Sequence, residues 1–311
     1  MTCLITLHVD ILNCIVSLHL FVSQANARFN HAGNMTTPGI RLKDFQEQCN
    51  KAVSKKSADE PFLFEELATL SMHFDKRSIQ SVMRKNDPDS LVLSYTRAMM
   101  GFLFFKPEPE RIAMIGLGGG SLAKYCLKYL PNTDFTAIEV NAQVIALRDK
   151  FHIPADSDKF KVLHGDGADY VVNKLHKVDV LLIDGFDENG HPPKLCSAGF
   201  YDNCYVKLND GGVMVVNLLA SDQKFGSYTA RMRDSFEDRV VVIDAEEHGN
   251  KIAFAYKGKD FKLTKEILLV RISLLSLKHP IPLHYTAQKI LQRLSKYTSH
   301  TEWEQLFRVP L

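Results

Sequence analysis

An α/β fold on a mainly parallel sheet is what this sequence predicts, and three observations predict it. The apolar run Ile112–Ile115 breaks into Gly116, Gly118, Gly119 and Gly120, after which Leu122, Tyr125, Cys126 and Tyr129 share one helical face. That pattern is strand, glycine turn, helix. Residues 110–258 then alternate short apolar runs with amphipathic stretches, the signature of a parallel sheet covered on both faces. Finally, acids follow successive strands: Glu139, Asp166 with Gly167, and Asp184 with Asp187. Ligands of open α/β sheets sit outside these carboxyl ends.

Taken in order, residues 36–60 are polar and Lys-rich and read as a lead-in. Ala68–Phe74 alternates, and Ile79–Met83 follows after Asp75-Lys-Arg77, which predicts a β-hairpin. Asn86-Asp-Pro-Asp89 is a helix-start signal for Leu91–Phe105, and Pro107 and Pro109 close this unit. Strands are expected at 111–115, 134–139, 160–164, 178–183, 212–217, 239–244 and 251–256. Helices are expected near 120–130, 141–150, 167–175, 197–208 and 224–235. The last two strands are joined by only Glu246–Asn250, too short for a crossover helix, so the final strand should be antiparallel. That arrangement is the AdoMet-methyltransferase-like (Rossmann-like) sheet; NAD-binding domains usually lack it. Residues 264–277 are apolar, Pro280 and Pro282 break the chain, and Ala287, Ile290, Leu291 and Leu294 mark an amphipathic helix. This helical tail should pack on the domain or on a partner subunit. The expected division is 1–34, an N-terminal extension; 35–106, a small β-hairpin and helix unit; 107–258, the nucleoside-binding domain; and 259–311, the tail.

Composition narrows the function. Of 311 residues 45% are hydrophobic and 24% charged, so the chain can bury a large core. A net charge of +2 argues against a nucleic-acid partner on electrostatic grounds. The six cysteines are scattered with no Cys-x-x-Cys pair, which fits reduced thiols in a cytoplasmic protein and indicates no metal. Residues 3–22 are apolar, but His8, Asp10, Asn13 and His19 interrupt them and no basic residue precedes Arg28. This is a poor membrane span and a poor signal peptide, so no membrane partner is expected and Met35 is the more natural start.

Two phosphate-binding schemes fail at the glycine turn. A P-loop needs Gly-Lys-Ser/Thr, whereas the turn ends Gly120-Ser121-Leu122; an NAD fingerprint wants a third glycine where Ser121 stands. An adenosine site fits better. Glu139 ends the second strand, where such folds grip a ribose diol, and a carboxylate at Asp166 can accept the adenine amino group. Gly116, Gly118, Gly119, Gly120, Glu139, Asp166 and Gly167 are the expected nucleoside contacts. Each alone could be a close-packing glycine or a helix cap; four strand ends in register point to a site.

Gly116-Leu-Gly-Gly-Gly-Ser-Leu122, Ile138-Glu139, His164-Gly-Asp-Gly167, Ile183-Asp-Gly-Phe-Asp187 and Phe200–Val213 together resemble the spermidine synthase (polyamine aminopropyltransferase) family over roughly residues 68–256. The resemblance implies transfer of an aminopropyl group from decarboxylated AdoMet to a small-molecule amine acceptor, releasing methylthioadenosine. It implies Asp187 as general base, Asp184 as amine holder and Tyr95 on the substrate side. A homodimer is a further expectation. Three positions depart from the family. Its aminopropyl-contacting Asp aligns with Gly118, its Tyr-His-Glu motif reads Tyr95-Thr-Arg97, and its Pro after the second Asp is Glu188. A cationic acceptor would meet Arg97 as a like charge. Two other readings stay open: an AdoMet-dependent methyltransferase acting on a small molecule, and a non-catalytic nucleoside-binding protein.

Overall fold

Three short strands precede the large sheet. Alternation in Phe62-Leu-Phe-Glu65 forms β1, and β2 (Thr69–His73) and β3 (Ser81–Arg84) pair antiparallel beside it in the order β1-β2-β3. The hairpin of β2 and β3 is as expected. β1 was missed, because a four-residue run behind Pro61 has too little pattern to separate from a polar lead-in. The structure is a computed structural model and describes residues 60–74, 79–187, 190–246, 249–258 and 263–294. The expected extension 1–34 lies outside them. All described residues belong to one of the two units into which the chain divides, Ser57–Phe74 with Ile79–Leu311.

The helix expected over Leu91–Phe105 is α1 (Ser94–Met99) followed by a 3₁₀ segment, Met100–Phe104. Gly101 explains the crowding there. A β-carbon on it would lie 2.7 Å from Thr286 Cγ2 and 2.8 Å from Phe254 Cζ, so only glycine lets this segment press so closely on its neighbours.

The large sheet comprises β4 (Arg111–Ile115), β5 (Asp134–Glu139), β6 (Phe160–His164), β7 (Val178–Ile183), β8 (Leu208–Leu219), β9 (Val240–Asp244) and β10 (Asn250–Tyr256). Its spatial order is β6-β5-β4-β7-β8-β10-β9. The first five strands run parallel, and β10 pairs antiparallel with both β8 and β9. Strand order reverses beside β4, the place where open α/β sheets open a crevice. Central strands are apolar on both faces. Met114, Leu182 and Val215 enter one core, while Ile115, Ile183 and Val216 enter the other. Such a sheet must be covered twice.

The connecting helices do this. On the first face lie α1, α2 (Ser121–Tyr129), α3 (Ala142–Ala146) and the tail; on the second lie α4 (Gly167–Val172), α5 (Ala198–Lys207) and α6 (Phe225–Ser235). α3 and α4 are shorter than expected. Asn141 caps α3 through Gln143 N and Val144 N, and Ser197 caps α5 through Phe200 N. At the amino ends of the strands, Asp179 accepts hydrogen bonds from Glu110 N (2.8 Å), Arg111 N (3.1 Å) and Asn209 Nδ2 (3.0 Å), levelling β4, β7 and β8.

The tail folds as α7 (Lys265–Lys278) and α8 (Leu283–Leu294) and packs on the domain, as expected. α8 buries Leu283, Ala287, Ile290 and Leu291; α7 buries Leu268 and Leu275. Among the described residues no helix is long and apolar enough to cross a membrane.

His279, just after α7, seals the tail to α2. Its Nδ1 lies 3.2 Å from the Tyr125 hydroxyl, and its ring lies against Tyr125 and Tyr129. Burial, with Lys278 adding to it, pushes the imidazole down from 6.5 to about 4. The unfolded chain therefore binds more protons than the folded chain between those values. The contribution is complete above pH 6.5 and is lost as pH falls towards 4. Urea midpoints measured across this window should fall with acid in the wild type and fall less steeply in His279→Phe. Parallel acid limbs would show that another group titrates there.

Candidate active site

The carboxyl edge of the sheet carries the predicted residues in spatial order: Asp166 beyond β6, Glu139 at the end of β5, the glycine turn beyond β4, and Asp184 beyond β7. β8 adds a residue not expected from sequence, the buried Asn217.

The turn is built for close approach. Gly116, Gly118 and Gly120 have φ of +90°, +53° and +67°. A β-carbon on Gly116 would lie 2.3 Å from the Asp184 carbonyl oxygen, so no side chain fits. Gly119 meets Ser81 Oγ and the Phe151 ring, and Gly167 meets Ile115. At Gly118 a β-carbon would find only Ser81 Cβ at 3.8 Å and Met72 Cε at 3.9 Å, which leaves room at this position. Lys124, itself buried, donates to Phe151 O at 2.6 Å and so holds the ring that backs the turn.

Glu139 links the turn to its own strand. Oε2 accepts from Leu117 N at 2.8 Å and Oε1 from Asn141 N at 2.9 Å. The carboxylate is buried and oriented by two backbone donors, and each oxygen keeps a second lone pair. Val140, next along, exposes an apolar side chain at the same edge.

Asp166 has a double occupation. It caps α4 by accepting from Ala168 N at 2.8 Å, and it pairs with Lys194 at 3.0 Å. Burial raises its carboxyl, but the Ala168 amide and Lys194 outweigh that and hold it below the usual range. Lys194 lies on a short 3₁₀ turn, Pro193–Leu195, and is largely exposed, so the pair can open at small cost.

Asp184 is the electrostatic centre of the other half. Its Oδ1 accepts from Asn217 Nδ2 at 2.8 Å, and the half-buried Tyr95, whose hydroxyl donates to Gln80 O at 3.5 Å, lies beside it. Burial pushes Asp184 up to about 6; Asn217 and Tyr95 oppose the shift, and the negative charge of Glu139 adds to it. Tyr95 is raised well above its ordinary value by burial and by the adjacent Asp184. Asn217 Oδ1 in turn accepts from Asn250 Nδ2 at 2.9 Å, which orients the amide so that its nitrogen faces Asp184. Asp187 is exposed, and its backbone exchanges hydrogen bonds with Gly190 (2.9 and 3.2 Å).

Arg97 does not stand where the sequence suggested. Its guanidinium donates to Leu91 O (3.1 Å) and Val92 O (2.6 Å) and pairs with Glu246 at 3.1 Å. Two residues along a helix from Tyr95, it points away from that side chain's face, and its charge is compensated there. His191, in the loop that follows Asp187, is buried with Nε2 2.9 Å from Asn217 O. Among the described residues no cluster of His, Cys, Asp and Glu could hold a metal ion.

Comparisons with known proteins bear on the family and the fold. Residues 92–218 match the model of the spermine/spermidine synthase domain. The polyamine aminopropyltransferase of Neisseria meningitidis is 36% identical over 233 residues, spanning 74% of this chain and 89% of that protein. The chain belongs to the spermine/spermidine synthase family. Its fold is likewise shared: a probable spermidine synthase from Corynebacterium glutamicum superposes with a TM-score of 0.59 at 19% identity, covering 71% of this chain and 85% of that one. Human methyltransferase-like protein 13, in complex with SAH, gives 0.54 at 22% identity, covering 69% of this chain and 98% of that one. The family's sheet is thus the methyltransferase-like one expected from sequence.

Within this family member, removing the Glu139 carboxylate should cost more than a ligand contact. Glu139→Ala leaves two backbone amides of a buried turn without acceptors, a loss of about 1–3 kcal/mol for each unsatisfied group. Glu139→Gln retains an acceptor for one of them and should unfold at a denaturant concentration between those of Ala and wild type. Equal midpoints for Ala and wild type would show that the turn does not depend on this carboxylate.

Proposed function

We propose that this chain is an aminopropyltransferase, moving an aminopropyl group from decarboxylated AdoMet to a small amine and releasing methylthioadenosine. The observation that carries the reading is Asp184, hydrogen-bonded by Asn217 with Tyr95 beside it, set across the glycine turn from Glu139 and Asp166. Glu139 and Asp166 fit the nucleoside: the free lone pairs of Glu139 suit a ribose diol, and Asp166 suits the adenine amino group once Lys194 yields. Gly116, Gly118, Gly119, Gly120 and Gly167 keep side chains out of that cradle. Val140 offers an apolar surface to the base.

In the transfer, the acceptor nitrogen forms a bond to the carbon beside the sulfonium. The C–S bond breaks with its electron pair going to sulfur, and the nitrogen's surplus proton goes to a carboxylate. Asp187, exposed and reachable, is the general base; Asp184, half-buried and oriented, holds the amine with Tyr95. Such assistance is typically worth about 10²–10⁴-fold. Gly118 neither attracts the ammonium of decarboxylated AdoMet nor repels the carboxylate of AdoMet, so methyl transfer from AdoMet is the second reading. We also place the protein in the cytoplasm, as a catalyst for small soluble substrates, and retain the four-part division of the chain and a homodimer as parts of this proposal.

The test is incubation with either donor and a panel of polyamines. Methylthioadenosine should form from decarboxylated AdoMet, and Asp187→Asn should reduce turnover by about 10²-fold or more while nucleoside affinity changes little. S-adenosylhomocysteine from AdoMet as the sole product would favour methyl transfer, and near-normal turnover in the variant would remove Asp187 as the base.

Acidity supplies a second check. Asp184 is raised to about 6, so the anion that holds the amine is lost as pH falls through that value. Acceptor kcat/KM should decline below about pH 6. Tyr95→Phe removes the neighbouring hydroxyl, which favours the carboxylate, so its acid limb should move to higher pH. A limb that stays in place would mean that a different group controls it.

A further inference from the structure

The loop that bears Asp184 and Asp187 is fixed at three places. At its start, Asp184 N donates to Ile115 O at 2.9 Å. In its middle, Asp187 and Gly190 exchange backbone hydrogen bonds. At its end stands His191, whose side chain is only 4% exposed. Its Nε2 lies 2.9 Å from Asn217 O, and since a carbonyl can only accept, that nitrogen carries the proton. The ring meets Phe186 edge-on at 4.5 Å and Tyr228 at 5.6 Å. Nδ1 has no hydrogen-bond partner and faces Asp222 Oδ2 at 3.6 Å.

The residue that His191 grips is the one that orients Asp184. Asn217 receives the imidazole N–H on its backbone carbonyl and donates its side-chain amide to Asp184 Oδ1. One imidazole therefore ties the far end of the loop to the same strand position that orients the half-buried Asp184 carboxylate. It also clamps Phe186, which immediately precedes Asp187. A histidine needed only to fill space could use either nitrogen or none; here a specific N–H joins two elements of the acceptor side.

We propose that His191 is a positioning residue for the acceptor side of the site, holding Asp184 and Asp187 in their relative places through Asn217 and Phe186. The inference rests on the functional reading above. It assigns His191 no contact with substrate and no proton transfer. The nucleoside half, Glu139 and Asp166 with the glycine turn, lies on other strand ends, so loss of His191 should be felt selectively.

Three variants test this. His191→Phe keeps an aromatic ring without the N–H. His191→Gln places an amide nitrogen the same number of bonds from Cα as Nε2, and His191→Asn reaches only as far as Nδ1. Acceptor kcat/KM should fall about tenfold or more in Phe and Asn and return to within about threefold of wild type in Gln, with methylthioadenosine Kd within about twofold throughout. If Phe fails to fold by circular dichroism, the Gln and Asn pair carries the comparison. Wild-type behaviour in Asn, or equal losses of nucleoside affinity and acceptor kcat/KM, would overturn the proposal. Absence of turnover by the wild type with any amine would be a failure of the functional reading instead. His191 is then read by hydrogen exchange: the Asp187 and Gly190 amides should exchange about tenfold faster in Asn than in Gln, and equal rates would overturn the positioning role.

Discussion

A buried carboxylate, Glu139, joins neighbouring strand ends, and the layout of the whole carboxyl edge follows from that link. A glycine turn with three positive-φ residues is intrinsically loose, because glycine has the most backbone freedom to lose. Accepting from Leu117 N and Asn141 N, Glu139 ties the turn to β5 and the start of α3 at once. The exclusion of any β-carbon at Gly116 by the Asp184 carbonyl ties it equally to β7. The turn is thus held between the two strands that flank β4, and ligand approach is set by backbone positions that side-chain motion cannot alter.

The two halves of the edge meet different electrostatic demands. Asp166 is partly open to solvent and paired with a mobile lysine, an arrangement that can exchange one partner for another. Among the described residues no cation pairs with Asp184; the neutral amide of Asn217 donates to it and Tyr95 lies beside it. Neutral donors hold a carboxylate in place without cancelling its charge, which suits a group meant to receive a cation. A salt-bridged aspartate here would have to give up its partner first. Arg97 illustrates the separation: nearby in sequence, it spends its charge on Glu246 and two carbonyls.

Legibility in the sequence followed from how local each signal was. The strands from β4 to β10 and the helices between them were readable because apolar runs, glycines and capping residues lie within a few positions of one another. β8 is longer at both ends than 212–217; Gly211 and Gly212 lie in an irregular stretch where its pairing with β7 jumps from Leu208 to Val213, yet the strand runs on through it. α3 and α4 were overestimated because their apolar spacing persists into turns. Of the site, the strand-end acids were found. Asn217 was not, although a polar residue after Val213–Val216, level with the other strand ends, was a usable sign. The compensation of Arg97 by Glu246 and the burial of His191 depend on contacts far apart in the chain, and no local pattern announces those.

Charge balance connects the apo site to the proposed reaction. Burial raises Asp184 and the nearby charge of Glu139 adds to the shift, so the edge works against its own ionisation. A sulfonium donor brings positive charge into this cluster, and each positive charge near a carboxylate favours its anionic form. Donor binding would then lower the pKa of Asp184 and ready it for a cationic amine. Linkage requires the reverse as well: a bound amine strengthens donor binding by the same factor. The carboxylates also offset the repulsion between two cationic substrates, which at contact distances would otherwise oppose their meeting.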